Sequence, residues 1–180
     1  MAEMIFAGFG GQGVMSMGMM VTYAGMLENK NVSWIPSYGP EMRGGTANCA
    51  VVVTPEEIGS PIITEPDVVV AMNLPSLTKF EPTLKAGGTL IYNSSLIERD
   101  GGREDITVIA VPANDLANEL GNTRVANMVV MGTLLAQTKI VNRDSIQEAL
   151  RKVLPAHRHD LLGVNEQAME RGAEYAKLDK

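Results

Sequence analysis

The chain has 180 residues, 45% of them hydrophobic and 20% charged, with a net charge of −6 and a single cysteine. That length suits one domain spanning 1–180, which buries roughly 70% of its unfolded surface and needs no staple. The composition excludes an internal disulfide, a four-thiolate iron–sulfur cluster held by this chain alone, and the clustered Lys and Arg of a nucleic-acid surface.

Only 4% of residues are aromatic, so the core is aliphatic and draws on the 12 methionines. Residues Met4 to Ala7 form a short apolar strand that runs into GFGGQG, and an apolar helix from Val14 to Leu27 follows. No charge occurs between Met4 and Leu27, but the glycines split the stretch. The helix that remains falls short of the roughly 20 residues that a bilayer requires. No basic segment precedes it, so it is not a signal peptide, and a soluble, cytoplasmic chain is expected.

NVSWIPS reads as the second strand, CAVVVT as a β-branched third, and PDVVVAMN as a strand buried on both faces. GSPIIT, between the last two, reads as a hairpin or an edge strand. LPSLTKFEPTLKAGG is helical and closed by glycines, and GTLIYNSS and ITVIAVPA are further strands. From Asn114 the pattern is helical: NDLANELG, TRVANMVVMGTLLAQT, RDSIQEALRKVLP, and a last helix from about Val164 to Lys177. Thr123 and Asp144 are candidate N-caps. The alternation predicts an α/β fold: a three-layer sandwich with a mainly parallel, Rossmann-like sheet and a helical C-terminal half.

Gly8, Gly10 and Gly13 have the G-x-G-x-x-G spacing between a strand and a helix, where backbone N–H groups can approach a phosphate. The same glycines also serve tight strand-to-helix packing, and both readings stand. A conventional NAD site requires an acid at the end of the second strand. That strand ends in Pro36 and Ser37, with Glu28 before it and Glu41 beyond it, so an NAD dehydrogenase is disfavoured. The following helix is apolar nearly all round, with Met15, Met17, Met19, Met20, Val21, Tyr23, Met26 and Leu27 separated only by small residues. Such a helix is covered on all sides, either within the domain or with its outer side against another chain.

SYGPEMRGGTAN follows the second strand on the rim that carries the glycine loop. Arg43 suits a phosphate or carboxylate, although Glu41 could instead pair with it. Together with GFGGQG, this segment resembles the gamma subunit of 2-oxoacid:ferredoxin oxidoreductases, and YGPEMRGG is closest to the 2-oxoglutarate and branched-chain members. The similarity extends through PDVVVAMN, GGTLIYNSS and TRVANMVVMGTLLA.

The resemblance implies a reaction in which a 2-oxoacid and coenzyme A give an acyl-CoA and carbon dioxide, with electrons passing to ferredoxin. It implies alpha and beta partner subunits and a delta, ferredoxin-like one. Those partners would bring thiamine diphosphate, magnesium and iron–sulfur clusters, because this chain has neither a GDG…N motif nor cluster cysteines. Coenzyme A would be a shared ligand. The cofactor-facing candidates are Gly8, Gly10, Gly11, Gln12 and Gly13 in the first loop. In the second they are Tyr38, Glu41, Arg43, Gly44, Gly45 and Asn48. No nucleophile, general base or metal ligand is expected: His157 and His159 sit in a solvated turn, and Cys49 lies in a strand. The chain alone is expected to be inactive and to self-associate. A self-sufficient nucleotide-binding oxidoreductase and a purely structural assembly module are the alternatives.

Overall fold

The computed structural model describes residues 1–37 and 47–178. Six strands form one sheet: β1 (Ala2–Gly8), β2 (Asn31–Ser37), β3 (Ala47–Thr54), β4 (Val68–Ala71), β5 (Thr89–Asn93) and β6 (Thr107–Val111), in the order β2-β3-β1-β4-β5-β6. β1, β4, β5 and β6 pair in parallel. β3 pairs antiparallel with both β1 and β2, so it alone runs against the other strands. Helix α1 (Val14–Leu27) therefore carries the chain from β1 past one vacant position to β2, and β3 turns back to fill it.

Strand residues alternate between two cores, as the pleat requires. Met4, Phe6, Cys49, Val51, Val53, Val68, Val70, Ile91 and Ile109 face the larger cluster, formed with α1, α4 (Ala126–Thr138), α5 (Arg143–Val153) and α6 (Leu162–Leu178). Ile5, Ala7, Val69, Ala71 and Leu90 face the smaller one, covered by α2 (Leu74–Phe80) with Leu84 and Ile97. With α3 (Ala113–Glu119) on the first side, the three layers and the helical C-terminal half are as the sequence predicts.

Two close approaches set the helical layer. On α1, a Cβ at Gly18 would strike the Cys49 thiol, and one at Gly25 would lie 2.7 Å from Val32 Cγ1, so this helix lies tightly on β2 and β3. Between α4 and α6, a Cβ at Gly132 would collide with the Met169 carbonyl oxygen, and one at Gly172 with the Val129 carbonyl oxygen. The Thr133 hydroxyl donates to the Gly172 carbonyl at 2.9 Å across the same contact.

No helix covers the link from β5 to β6, and an ion cluster replaces it. The Glu81 carboxylate accepts from Arg99 at 2.7 Å and from the Arg103 N–H at 3.1 Å. Burial alone would raise the Glu81 pKa, but the two arginines outweigh it and hold the carboxyl below its ordinary value.

Three local expectations are corrected. Residues 59–64, GSPIIT, form no strand: Pro61 has no N–H to give a ladder, and Ile62 is 71% exposed. The cap of α5 is Asn142, not Asp144, which lies in the first turn where its charge still complements the helix dipole. Thr123 begins a short 3-10 turn whose cap is Asn122, with its side chain accepting from the Arg124 N–H at 3.0 Å.

Gly132→Ala should therefore destabilise the chain by about 1–3 kcal/mol, the usual effect of forcing a methyl group into a packed contact. Gly163→Ala, where nothing lies within 4 Å, should be neutral or stabilising by up to about 1 kcal/mol. Denaturant midpoints of the two variants test the difference, and equal midpoints would refute the α4–α6 contact.

Candidate functional site

The carboxyl ends of β1, β4, β5 and β6 share one rim, where ligands bind in open parallel sheets. The β1–α1 loop lies on it. Gly11 and Gly13 adopt left-handed backbone, with φ of 90° and 76°, which side-chain-bearing residues rarely adopt. A Cβ at Gly8 would lie 2.9 Å from the Cβ of Met72, so that glycine serves packing. At Gly10 nothing lies within 4 Å, and the backbone there is open to approach.

Gln12 ties the loop to the neighbouring strand end. Its Oε1 accepts from the Phe9 N–H at 2.7 Å, and its Nε2 donates to the Met72 carbonyl at 3.0 Å. The Asn73 amide reaches the same Oε1 at 3.4 Å and accepts from the Ser76 N–H as the cap of α2. Further along the rim, the buried Asn93 donates to Asn114 at 2.7 Å. These amide links give the strand ends a fixed geometry, and only Gln12 among them was expected from the sequence.

Helix α1 starts at Gly13 with no side-chain cap and no acid in its first turn. That end of the helix borders a cleft of about 620 Å³. Gly11, Gly13 and Ser16 form one wall. Arg124 and Asn127 come from the turn before α4 and from α4 itself, Arg158 from the segment leading into α6, and Asn165 from the first turn of α6. Neither guanidinium makes a hydrogen bond or ion pair among the described residues, and no Asp or Glu lines the cleft. His159 Nε2 lies 3.2 Å from the Arg151 carbonyl oxygen and 3.1 Å from that of Leu154, which anchors the turn bearing Arg158 to the end of α5.

Of the residues singled out in sequence, Gly8, Gly10, Gly11, Gln12 and Gly13 come together here. Tyr38, Glu41, Arg43, Gly44 and Gly45 lie outside the described residues. The flanking residues Ser37 and Ala47 are on the rim, and Ala47 pairs with Gly8. Asn48 is adjacent to Cys49 in β3, so the pleat turns it to the sheet face away from α1 and the cleft. Arg124, Arg158, Asn127 and Asn165 were not expected at the site from the sequence, being more than a hundred residues from the glycine loop, although Arg124 and Asn127 lie in the TRVANMVVMGTLLA segment that carries the family similarity. Cys49 is fully buried, and loss of solvation raises its pKa to about 11, so it is a protonated core residue at neutral pH. Among the described residues no group of three His, Cys, Asp or Glu side chains converges, and no helix is long and apolar enough to cross a membrane.

Residues 3–175 match the family model for pyruvate ferredoxin/flavodoxin oxidoreductase. The chain is 40% identical over 172 residues to the ketoisovalerate oxidoreductase subunit VorA of Methanothermobacter thermautotrophicus, covering 95% of this chain but 35% of that one. It thus spans about a third of the length of that relative. It is 33% identical to the 2-oxoglutarate synthase subunit KorC of Methanocaldococcus jannaschii, covering 97% of this chain and 94% of that one. Among solved structures, the keto/oxoacid ferredoxin oxidoreductase gamma subunit of Geobacter sulfurreducens superposes with a TM-score of 0.84 over 99% of both chains, at 27% identity.

Because both ends of the Gln12 amide are engaged within the protein, Gln12→Leu should lower stability by about 1–3 kcal/mol in the absence of any ligand. Chemical denaturation measures this. An unchanged midpoint would mean that the side chain is free to serve a ligand instead.

Proposed function

The chain belongs to the pyruvate ferredoxin/flavodoxin oxidoreductase family, and on that premise we propose that it is the gamma subunit of a multi-subunit 2-oxoacid:ferredoxin oxidoreductase in the cytoplasm. Its substrate would be 2-oxoglutarate or a branched-chain 2-oxoacid, in keeping with the names of the relatives it matches. The near full-length correspondence with KorC is the observation that carries this reading.

The chemistry of the electron carriers belongs elsewhere in the complex. The only thiol, Cys49, is enclosed in β3, so the residues present do not fit an iron–sulfur cluster. Alpha, beta and ferredoxin-like delta subunits would supply the clusters and the thiamine diphosphate site with its magnesium. This chain would contribute the rim. Its open Gly10 backbone, the uncapped end of α1 and two arginines without partners among the described residues favour a phosphate-bearing substrate, and of the two substrates coenzyme A is the one that carries phosphates. A charge-assisted hydrogen bond is worth about 1.5–3 kcal/mol, or roughly one to two powers of ten in affinity.

The outer side of α1 supports the partner half of the reading. Met17, Met20, Val21 and Ala24 are buried inward, whereas Tyr23, Met26 and Leu27 are 37%, 55% and 42% exposed. The helix is thus covered on one side within this chain, and its apolar outer stripe is left for another.

Reconstitution tests the function. The chain alone should not oxidise 2-oxoglutarate or 2-oxoisovalerate, and with its partner subunits it should support coenzyme A-dependent reduction of ferredoxin by one of them. Turnover by the chain alone, or full activity of the complex without it, would sink the proposal. Met26→Lys should leave the circular dichroism spectrum intact and prevent co-purification with the partners. A folded variant that still assembles would show that the outer stripe is not the contact.

A further inference from the structure

We propose that this chain forms a closed dimer with a second copy of itself, in which the acidic loop between β3 and β4 of each protomer docks into a basic groove between α4 and α6 of the other. The groove holds about 330 Å³, and its floor is apolar, made by Gly132, Leu135, Ala136 and Ala173. Lys139, Arg143 and Lys177 stand around it, and among the described residues no Asp or Glu lines it. Arg143 has only a loose pair with Glu170 at 3.7 Å, and Lys139 and Lys177 have no hydrogen bond or ion pair among the described residues. Lys139 closes α4 in left-handed backbone, with φ of 49°. Glycine or asparagine is usual at such a helix end, so a lysine there accepts conformational strain and brings a cation to the groove.

The same chain carries the complement. Residues 55–67 read PEEIGSPIITEPD, with four carboxylates and no Lys or Arg. Asp67 is held by Lys85, whereas the carboxylates of Glu56, Glu57 and Glu65 have no partner among the described residues. Ile62 is 71% exposed, more than any other large apolar side chain except Met1. Local bonds hold the loop in this shape. The Asn31 amide donates to the Glu56 carbonyl at 2.9 Å at the base, and the Ser60 hydroxyl accepts from the Ile62 N–H at 3.2 Å at the tip. An isoleucine flanked by carboxylates matches a groove with an apolar floor and a cationic rim in both polarity and charge.

Position favours a second copy as the occupant. Loop and groove flank the same end of the sheet, opposite the glycine rim. The loop leaves β3 at Thr54, beside the start of β1, and enters β4 at Val68. Ile140, next to Lys139, shares a small hollow with Val53 and Pro55 at the base of the loop. Two copies related by a twofold axis at this end can exchange both contacts at once. Such an interface closes on itself, whereas a loop and groove on opposite ends would propagate a filament.

Dimerisation of this kind does not depend on the function proposed above, and the full chain alone tests it, by analytical ultracentrifugation over a dilution series. The wild type should dimerise at micromolar concentrations, and raising NaCl from about 50 mM to about 500 mM should weaken the dimer at least tenfold. Ile62→Ser should weaken it by about tenfold or more, the effect of returning an aliphatic side chain to water. Two charge-reversed chains give the sharper result. One carries Lys139→Glu and Lys177→Glu, the other Glu56→Lys and Glu57→Lys. Each alone should be monomeric, with the circular dichroism of wild type. Mixed in equal amounts they should form a one-to-one dimer, because the basic loop of one meets the acidic groove of the other while the two native elements still match. Should either chain misfold, Lys177→Gln and Glu57→Gln replace the reversals, and each must weaken the dimer severalfold. A wild type that is monomeric at about 0.1 mM would rule the dimer out. So would a dimer indifferent to both sets of changes, or a mixture of folded reversed chains that stays monomeric.

Discussion

The reversed strand β3 is the constraint on which the rest of this molecule depends. By pairing with β1 on one side and β2 on the other, it moves β2 two strand spacings, roughly 10 Å, from the glycine loop. In a conventional dinucleotide fold, the second parallel strand lies beside the first and brings its acid to the ribose. Here that place is taken, so the missing acid at Pro36 and Ser37 is a consequence of topology as well as of sequence. α1 has to span the wider gap while staying close to the sheet, and the glycines at 18 and 25 make that approach sterically feasible. The loop borders a cleft on the side of the helical layer, and Arg124 and Arg158 line the same cleft.

Local charge and net charge accordingly give different answers. A net charge of −6 argues against a nucleic-acid surface, but it averages over carboxylates that already have partners. Glu81 is held by Arg99 and Arg103, Glu3 and Asp67 share Lys85, and Glu28 pairs with Lys30. Among the described residues, the charges left without partners along the cleft are positive. The chain can therefore be acidic overall and still offer an anion a basic surface at the end of α1.

The parts of the fold that were legible in the sequence are those set by local pattern. β2 is NVSWIPS to the residue, and α1 starts and stops where the glycines and Glu28 put it, because alternation and helix breakers act over a few positions. The errors are also local, but they arise where a turn competes with a cap: Asn122 and Asn142 serve where Thr123 and Asp144 were expected. The glycine loop was legible because strand, turn and helix adjoin in the chain. The arginines of the cleft were not, since Arg124 and Arg158 reach Gly11 only through the packing of α4 and α6 against the sheet. Nor did the direction of β3 show in CAVVVT, whose residues read alike whichever way the strand runs.

The close contact of α4 with α6 links stability to the geometry of the cleft. Arg124 and Asn127 lie at the amino end of α4, while Arg158 and Asn165 lead into and begin α6. The two helices are held at a separation that only glycine permits at 132 and 172, and Thr133 bonds across the gap. Widening that contact would move the two arginines relative to each other before it touched the glycine loop. An anion bridging them would be sensitive to such a shift, because charge-assisted hydrogen bonds weaken steeply once distance and alignment are lost. The cleft is thus positioned by packing that lies well inside the helical layer, and its two cationic walls keep their spacing only while that layer stays closed.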